Sequence, residues 1–209
     1  MYDYLRHPAD IYRRSFELIR EEAPIDSLPE GLRDIAVRLV HACGMPDIVP
    51  ALVWQGAPRS AALDALQAGA PILVDTRMVA MGILADRLPA RNPVICTLGE
   101  VPAVADRAAR PTTRSAAAVD LWRPDVAGAV VAIGNAPTAL FRLLEILAED
   151  VAPPAAIFAF PVGFVGAAEA KQALVDAGLN TAVLTLLGRR GGSAMAAAAI
   201  NALVGRETH

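Results

Sequence analysis

Short apolar runs alternate with helix-length amphipathic stretches along nearly the whole chain, and this alternation leaves few folds open. The runs are Val49 to Gln55, Ile72 to Asp75, Val94 to Leu98, Ala129 to Ile133, Ala156 to Phe160 and Ala182 to Leu187. Between them lie helical patterns at Arg59 to Gln67, Thr138 to Ala148, Ala167 to Ala177 and Ser193 to Val204. Strand, helix, strand in this rhythm predicts βαβ units and a parallel sheet. Most runs are apolar at successive positions, as strands covered by helices on both faces must be. The expected fold is therefore a three-layer α/β/α sandwich with a mainly parallel central sheet. With only 5% aromatic residues and many alanines, helices and sheet must pack closely through small side chains. Two helices precede the first strand as an N-terminal appendage. One starts near Pro8, which suits a first turn, and one runs from Glu30 to Gly44, where glycine supplies a left-handed cap. No repeat, linker or charge run divides the sequence, so residues 1–209 are read as a single domain.

Charge and motifs narrow the function classes. A net charge of −3 and a pI near 5.6 give no general attraction to nucleic acid. Mean hydropathy is +0.40, yet Arg, Asp, Glu, Pro or Gly breaks each apolar run before the ~18 residues of a membrane span. The opening Met1-Tyr2-Asp3-Tyr4 is charged within the reach of a signal sequence. A soluble, cytoplasmic protein is expected, with Cys43 and Cys96 as reduced, buried thiols. No G-x-x-x-x-G-K-[ST], no strand-linked G-x-G-x-x-G and no G-x-S-x-G occurs. Nor is there a His or Cys pair at metal-ligand spacing.

In open parallel sheets chemistry sits beyond the carboxyl ends of the strands. There the sequence places two glycine-rich loops that open into helices, Gly134-Asn135-Ala136-Pro137-Thr138 and Gly188-Arg189-Arg190-Gly191-Gly192-Ser193. Free N–H groups at such turns attract anionic oxygens, and Arg189 and Arg190 add guanidinium groups suited to carboxylates. Taken alone, either loop is equally ordinary turn chemistry. Pro111-Thr112-Thr113-Arg114-Ser115 opens another helix, and Arg114 inside its first turn opposes the helix dipole. That suggests a balancing anion, with a solvated surface arginine as the plainer reading. Asp75 is expected to cap the helix that follows it.

Of His7, His41 and His209, only His41 lies within a strong helical pattern. Asp34, Arg38 and His41 flank the apolar stripe of Leu32, Ile35, Ala36, Leu39 and Cys43. Arg38 disfavours a protonated imidazole and the helix C-terminus favours one; the sequence leaves that competition open, along with a purely structural role for the ring.

Five pieces, in this order, resemble the precorrin-8X methylmutase family and its cobalt-precorrin-8 relatives over nearly the whole chain. They are Ile11-Tyr12-Arg13-Arg14-Ser15-Phe16, Val40-His41-Ala42-Cys43-Gly44-Met45, Gly134-Asn135-Ala136-Pro137-Thr138-Ala139-Leu140, Pro161-Val162-Gly163-Phe164-Val165-Gly166-Ala167-Ala168-Glu169, and Gly188 to Ser193. The resemblance implies that His41 exchanges the catalytic proton and that Ser15, Arg38 and Arg114 contact substrate. The Arg189, Arg190, Gly191, Gly192 loop supplies further contacts on the anion reading above. The implied fold is a three-layer sandwich in a homodimer with its sites near the subunit interface. One departure is visible: the family commonly has Glu-Ser-Lys where this chain reads Glu169-Ala170-Lys171.

The resemblance further implies an isomerase of cobalamin biosynthesis acting on a tetrapyrrole. It moves the ring C methyl of precorrin-8X from C11 to C12 to give hydrogenobyrinate, with no organic cofactor and no metal, and hands the corrin product on to other enzymes of the pathway. Such a substrate carries many carboxylates around an apolar macrocycle, which matches arginines and N–H donors at an apolar site. Rival readings are a cobalt-precorrin-8 methylmutase, a non-catalytic corrinoid carrier, and an S-adenosylmethionine-dependent methyltransferase on a similar fold.

Overall fold

The computed structural model describes residues 2–101, 112–149 and 151–205. Six strands, β1 (Leu52–Gln55), β2 (Ile72–Val74), β3 (Val94–Ile95), β4 (Val130–Ile133), β5 (Ala156–Ala159) and β6 (Ala182–Leu186), form one sheet in the order β1-β6-β5-β4-β2-β3. All pairings are parallel except β1 with β6, where Leu52 faces Leu186 and Gln55 faces Val183. The central strands β2, β4, β5 and β6 are buried at every position, whereas edge strands β1 and β3 are partly exposed.

The helices are α1 (Pro8–Glu22), α2 (Glu30–Cys43), α3 (Pro58–Gln67), α4 (Arg77–Gly82), α5 (Arg114–Asp120), α6 (Pro137–Leu147), α7 (Ala167–Asp176) and α8 (Ser193–Val204). Two apolar clusters lie on the two sides of the sheet. One joins α1, α2, α3, α4 and α8 to residues such as Val74, Val130 and Phe158. The other joins α5, α6 and α7 to Leu73, Val131 and Ile157. Adjacent strand residues thus feed opposite clusters, as the pleat requires, and the three-layer sandwich follows.

Of the two helices ahead of the sheet, α2 is built into the covering layer. It packs on α8 and buries Leu32, Ile35, Ala36, Val37, Leu39 and Val40. α1 rests on α2 and buries only Ile19. Element ends differ from expectation where proline intervenes. The run from Val49 becomes strand only at Leu52, because Pro46–Ala51, with Pro46 at its start and Pro50 inside, winds into a short 3-10 segment. The run from Val94 gives two strand residues before Thr97–Gly99 turns. Because β1 is antiparallel, the segment leading into it from α2 lies at the carboxyl rim of the parallel strands, where Leu187 N–H donates to the Ala51 carbonyl. Among the described residues, no helix is long and apolar enough to cross a membrane.

Candidate active site

His41 stands in the last turn of α2, just before Gly44, whose φ of 68° closes the helix in the left-handed region where glycine carries no Cβ penalty. Opposite it, α1 presents Tyr12, Ser15 and Phe16, residues that share a helix face at i, i+3 and i+4. Ser15 Oγ lies 2.8 Å from His41 Nδ1. The Tyr12 ring lies tilted against the imidazole with centroids 5.5 Å apart, and Phe16 meets it edge-on at 5.4 Å. Arg38, one turn earlier on α2, sets its guanidinium carbon 5.3 Å from the Phe16 ring centroid. The imidazole is thus fixed through Nδ1 and two aromatic rings, while Nε2 has no hydrogen-bond partner among the described residues. Partial burial lowers its pKa below the ordinary 6.5 and the Arg38 charge lowers it further. Burial is the larger of these two causes, and both favour the neutral ring.

The loop after β6 lies on the same rim. Arg190 Nη1 donates to Asp47 Oδ2 at 2.6 Å, and Asp47 lies in the Pro46–Ala51 segment that comes after α2. This bridge ties the His41 helix to the loop, and it engages one of the two expected guanidinium groups. The other, Arg189, is exposed and stacks over Phe164 with its guanidinium carbon 5.4 Å from the ring centroid. Phe164 and Val165 are 83% and 90% exposed, so an apolar tip adjoins a cation that has no ion-pair partner among the described residues. The loop backbone is held from behind. Gly163 N–H donates to the Arg189 carbonyl, Lys171 Nζ to the Arg190 carbonyl, and Gly192 N–H to the Phe160 carbonyl. A side chain at Gly191 would collide with the Phe160 and Pro161 carbonyl oxygens, so only glycine permits this approach.

The loop after β4 corrects two expectations. Asp75 does not cap the helix that follows it; Thr76 does, accepting from Met78 N–H at 2.9 Å. The buried Asp75 carboxylate instead accepts from the Gly134, Asn135 and Ala136 amides at 2.9, 2.9 and 2.8 Å. Burial pushes its pKa up against the pull of these donors. The amides that made this loop look like an anion site are already occupied by a carboxylate of the chain itself.

Arg114 is the first residue of α5, exposed, behind an N-cap in which Thr113 Oγ1 accepts from Ala116 N–H. It belongs to the layer on the other side of the sheet from α2. Among the described residues, no hydrogen bond, ion pair or ring contact joins it to His41. A cavity of about 260 Å³ beside it is bordered by Thr112, Thr113, Thr138, Phe141 and Arg142. Arg142 there is already paired with Asp120 and Glu145. Pro111 and His209 lie outside the described residues. Cys43 and Cys96 are free and half-buried, and burial raises the Cys43 pKa. Among the described residues, no group of three or more His, Cys, Asp or Glu is placed to hold a metal ion.

The single chain therefore gathers Ser15, Arg38 and His41 in one cluster, links it through Asp47 to Arg189–Gly192, and leaves Arg114 apart. Sequence reasoning missed Tyr12 and Phe16 as the walls of the imidazole, although their spacing beside Ser15 in the quoted motif was the signal. It also missed Asp47, Phe164 and Lys171.

A family model described as precorrin-8X methylmutase matches residues 10–206. The chain is 53% identical over 205 residues to a protein of Pseudomonas aeruginosa named precorrin-8X methylmutase, covering 97% of this chain and 98% of that one. It is 35% identical over 198 residues to one of Methanothermobacter thermautotrophicus named cobalt-precorrin-8 methylmutase, covering 93% and 91%. Among solved structures, precorrin-8x methyl mutase from Thermus thermophilus superposes with a TM-score of 0.83 at 36% identity over 94% of each chain. Its fold, its motifs and these likenesses agree, and the chain belongs to the precorrin-8X methylmutase family.

Proposed function

We propose that the protein converts precorrin-8X to hydrogenobyrinate, with His41 as the group that exchanges the proton. The observation that carries this reading is the imidazole held by Ser15 between Tyr12 and Phe16, with Nε2 open, on a rim that also carries Arg38 and Arg189. The bond from the methyl to C11 breaks as the bond to C12 forms, a suprafacial 1,5-shift that needs no oxidant, reductant or external methyl donor. A proton on a ring nitrogen draws electron density from the conjugated system and lowers the barrier, and it returns to His41 afterwards. The neutral resting imidazole is suited to this cycle. Carboxylates of the arriving macrocycle offset the Arg38 charge and raise the His41 pKa, so that binding itself supplies the acid form.

The metal-free substrate is favoured over the cobalt-containing one by the gradient of identity, 53% to the relative named for precorrin-8X against 35% to the one named for the cobalt compound. The whole chain, residues 1–209, acts as one cytoplasmic domain and passes its corrin product to later enzymes of the pathway. It works as a homodimer. Arg114 stands apart from His41 within one chain, and a two-fold assembly would bring Arg114 of one protomer to the His41 cluster of the other. Exposed Met78, Met81, Phe164 and Val165 supply apolar surface for such an interface.

Purified His41→Ala should stay folded and bind hydrogenobyrinate while turning over about 10²–10⁴ times more slowly, the usual cost of removing a general acid. A folded variant that rearranges precorrin-8X at the parental rate defeats the mechanism. In the parent, kcat/KM should fall as pH rises through the lowered pKa of free His41, and kcat should fall only at higher pH, where bound carboxylates hold the imidazolium. Superimposable profiles would contradict that coupling. For the dimer, mixing inactive His41→Ala with inactive Arg114→Ala should restore roughly a quarter of parental activity, because half of the random dimers carry one intact site. No recovery after subunit exchange counts against a shared site.

A further inference from the structure

Of the 19 lysine and arginine residues in the chain, Lys171 alone is lysine. It is also fully buried, at 0% exposure in α7, and its ammonium has one hydrogen-bond partner among the described residues, the Arg190 carbonyl at 2.7 Å. Burying a cation without a carboxylate is costly, and a methionine would fill similar space without that penalty. Burial pulls its pKa down to about 8, so at neutral pH it is still mainly protonated and donates.

The effect of that bond on the loop follows from peptide geometry. The described peptides are all trans, and in a trans peptide the C=O of one residue and the N–H of the next point in opposite directions. Gly163 N–H draws the Arg189 carbonyl inward at 3.1 Å, which turns the Arg190 amide the other way. Lys171 draws the Arg190 carbonyl towards α7, which turns the Gly191 amide away from α7. Neither amide has an acceptor among the described residues.

We propose that Lys171 is a positioning residue of the site: it clamps the Arg190–Gly191 peptide so that the Gly191 amide, beside the Arg189 guanidinium, donates to a carboxylate of the macrocycle. This rests on the reading of the Arg189–Gly192 loop as a substrate contact. Lys171 itself touches no substrate. The absence of a side chain at Gly191 lets its peptide lie flat on the Phe160 and Pro161 carbonyls, and the lysine fixes which way that peptide faces.

The test uses the full-length protein and hydrogenobyrinate as probe. Arg190–Gly191 is the sole Arg-Gly step in the sequence, so labelling arginine carbonyl carbon and glycine nitrogen together gives a single amide correlation for Gly191. In the parent that signal should move downfield as hydrogenobyrinate is added; a Gly191 amide that does not respond overturns the proposal without any mutant. In Lys171→Met the product Kd and KM should rise about tenfold, the loss of one hydrogen bond, with kcat within about twofold and the protein folded. A folded Lys171→Met with parental Kd and KM, beside an Arg189→Ala that binds more weakly, overturns the role of the lysine and leaves the loop as a contact. If neither variant nor the Gly191 signal responds while the parent still turns over, both the clamp and the loop's assignment fall. A parent that neither binds hydrogenobyrinate nor converts precorrin-8X removes the functional reading, and the clamp with it.

Discussion

The loops after β4 and β6 look alike in sequence, each a glycine-rich turn from strand into helix, yet the chain uses them in opposite ways. After β4, the Gly134, Asn135 and Ala136 amides all point inward to the Asp75 carboxylate. After β6, the Arg189 and Arg190 carbonyls are engaged, by Gly163 N–H and by Lys171, and the Arg190 and Gly191 amides point away, while Gly192 N–H alone turns back to the Phe160 carbonyl. A buried acid beneath a loop consumes its donors; a buried base beneath a loop frees them. A glycine-rich turn is therefore not an anion site by composition. The charge of the residue underneath decides which half of each peptide faces outward.

The largest effect expected from breaking this contrast is at Asp75. Asp75→Leu would leave three amides without an acceptor in the interior, and Asp75→Asn would retain one acceptor oxygen while aiming its own N–H groups at donors. Losing charge-assisted bonds of this kind costs about 3 kcal/mol or more. Urea unfolding of Asp75→Asn should show that loss with an unchanged slope. A variant as stable as the parent would mean that the loop after β4 does not depend on the acid below it.

A smaller effect is expected from the outward-facing cation of the other loop. Arg189→Ala should weaken hydrogenobyrinate by about 1.5–3 kcal/mol, the range for a hydrogen bond to a charged group, and should leave stability nearly unchanged because Arg189 is exposed. Asn135→Ala, on the loop whose amides are occupied, should bind the product as the parent does. Isothermal titration of the two variants distinguishes the loops directly, and equal losses at both would erase the distinction drawn between them.

The layers, the burial of the central strands on both faces and the His41 helix were legible because each rests on local pattern. Apolar runs flanked by helices mark buried parallel strands, and Gly44 after an amphipathic stretch marks where α2 ends. Ser15 came to notice only through the resemblance, as a substrate contact, and its bond to His41 was not foreseen, since the residues are 26 apart in sequence and meet through the packing of α1 on α2. What failed was long-range polar partnership. Asp75 reaches amides about 60 residues away, and nothing in Asp-Thr-Arg distinguishes that acid from a local cap. The partner that Arg190 finds in Asp47, at a separation of 143 residues, was equally invisible in the sequence. Lys171 did carry a signal, its isolation among arginines, but only its burial and its single bond to the Arg190 carbonyl show a compact ammonium acting as a point donor.

The smallest effect separates the two buried charges by pH. The Lys171 pKa is lowered from 10.5 in the unfolded chain to about 8 in the native protein. Between those values the unfolded state binds more protons, so the penalty of burying the ammonium is fully present below about pH 8 and is relieved as pH rises. The parent should gain about 1 kcal/mol relative to Lys171→Met between pH 8 and pH 9, while tyrosine and thiol titrations common to both proteins cancel in the difference. Relief has a functional counterpart, because a neutral amine is a weaker donor to the Arg190 carbonyl and holds the Gly191 amide less firmly. Product affinity in the parent should thus decline over the same interval in which stability rises, with the change absent in Lys171→Met. Parallel stability curves for the two proteins would show that the lysine is not a buried charge in solution, and the contrast between the loops would then rest on Asp75 alone.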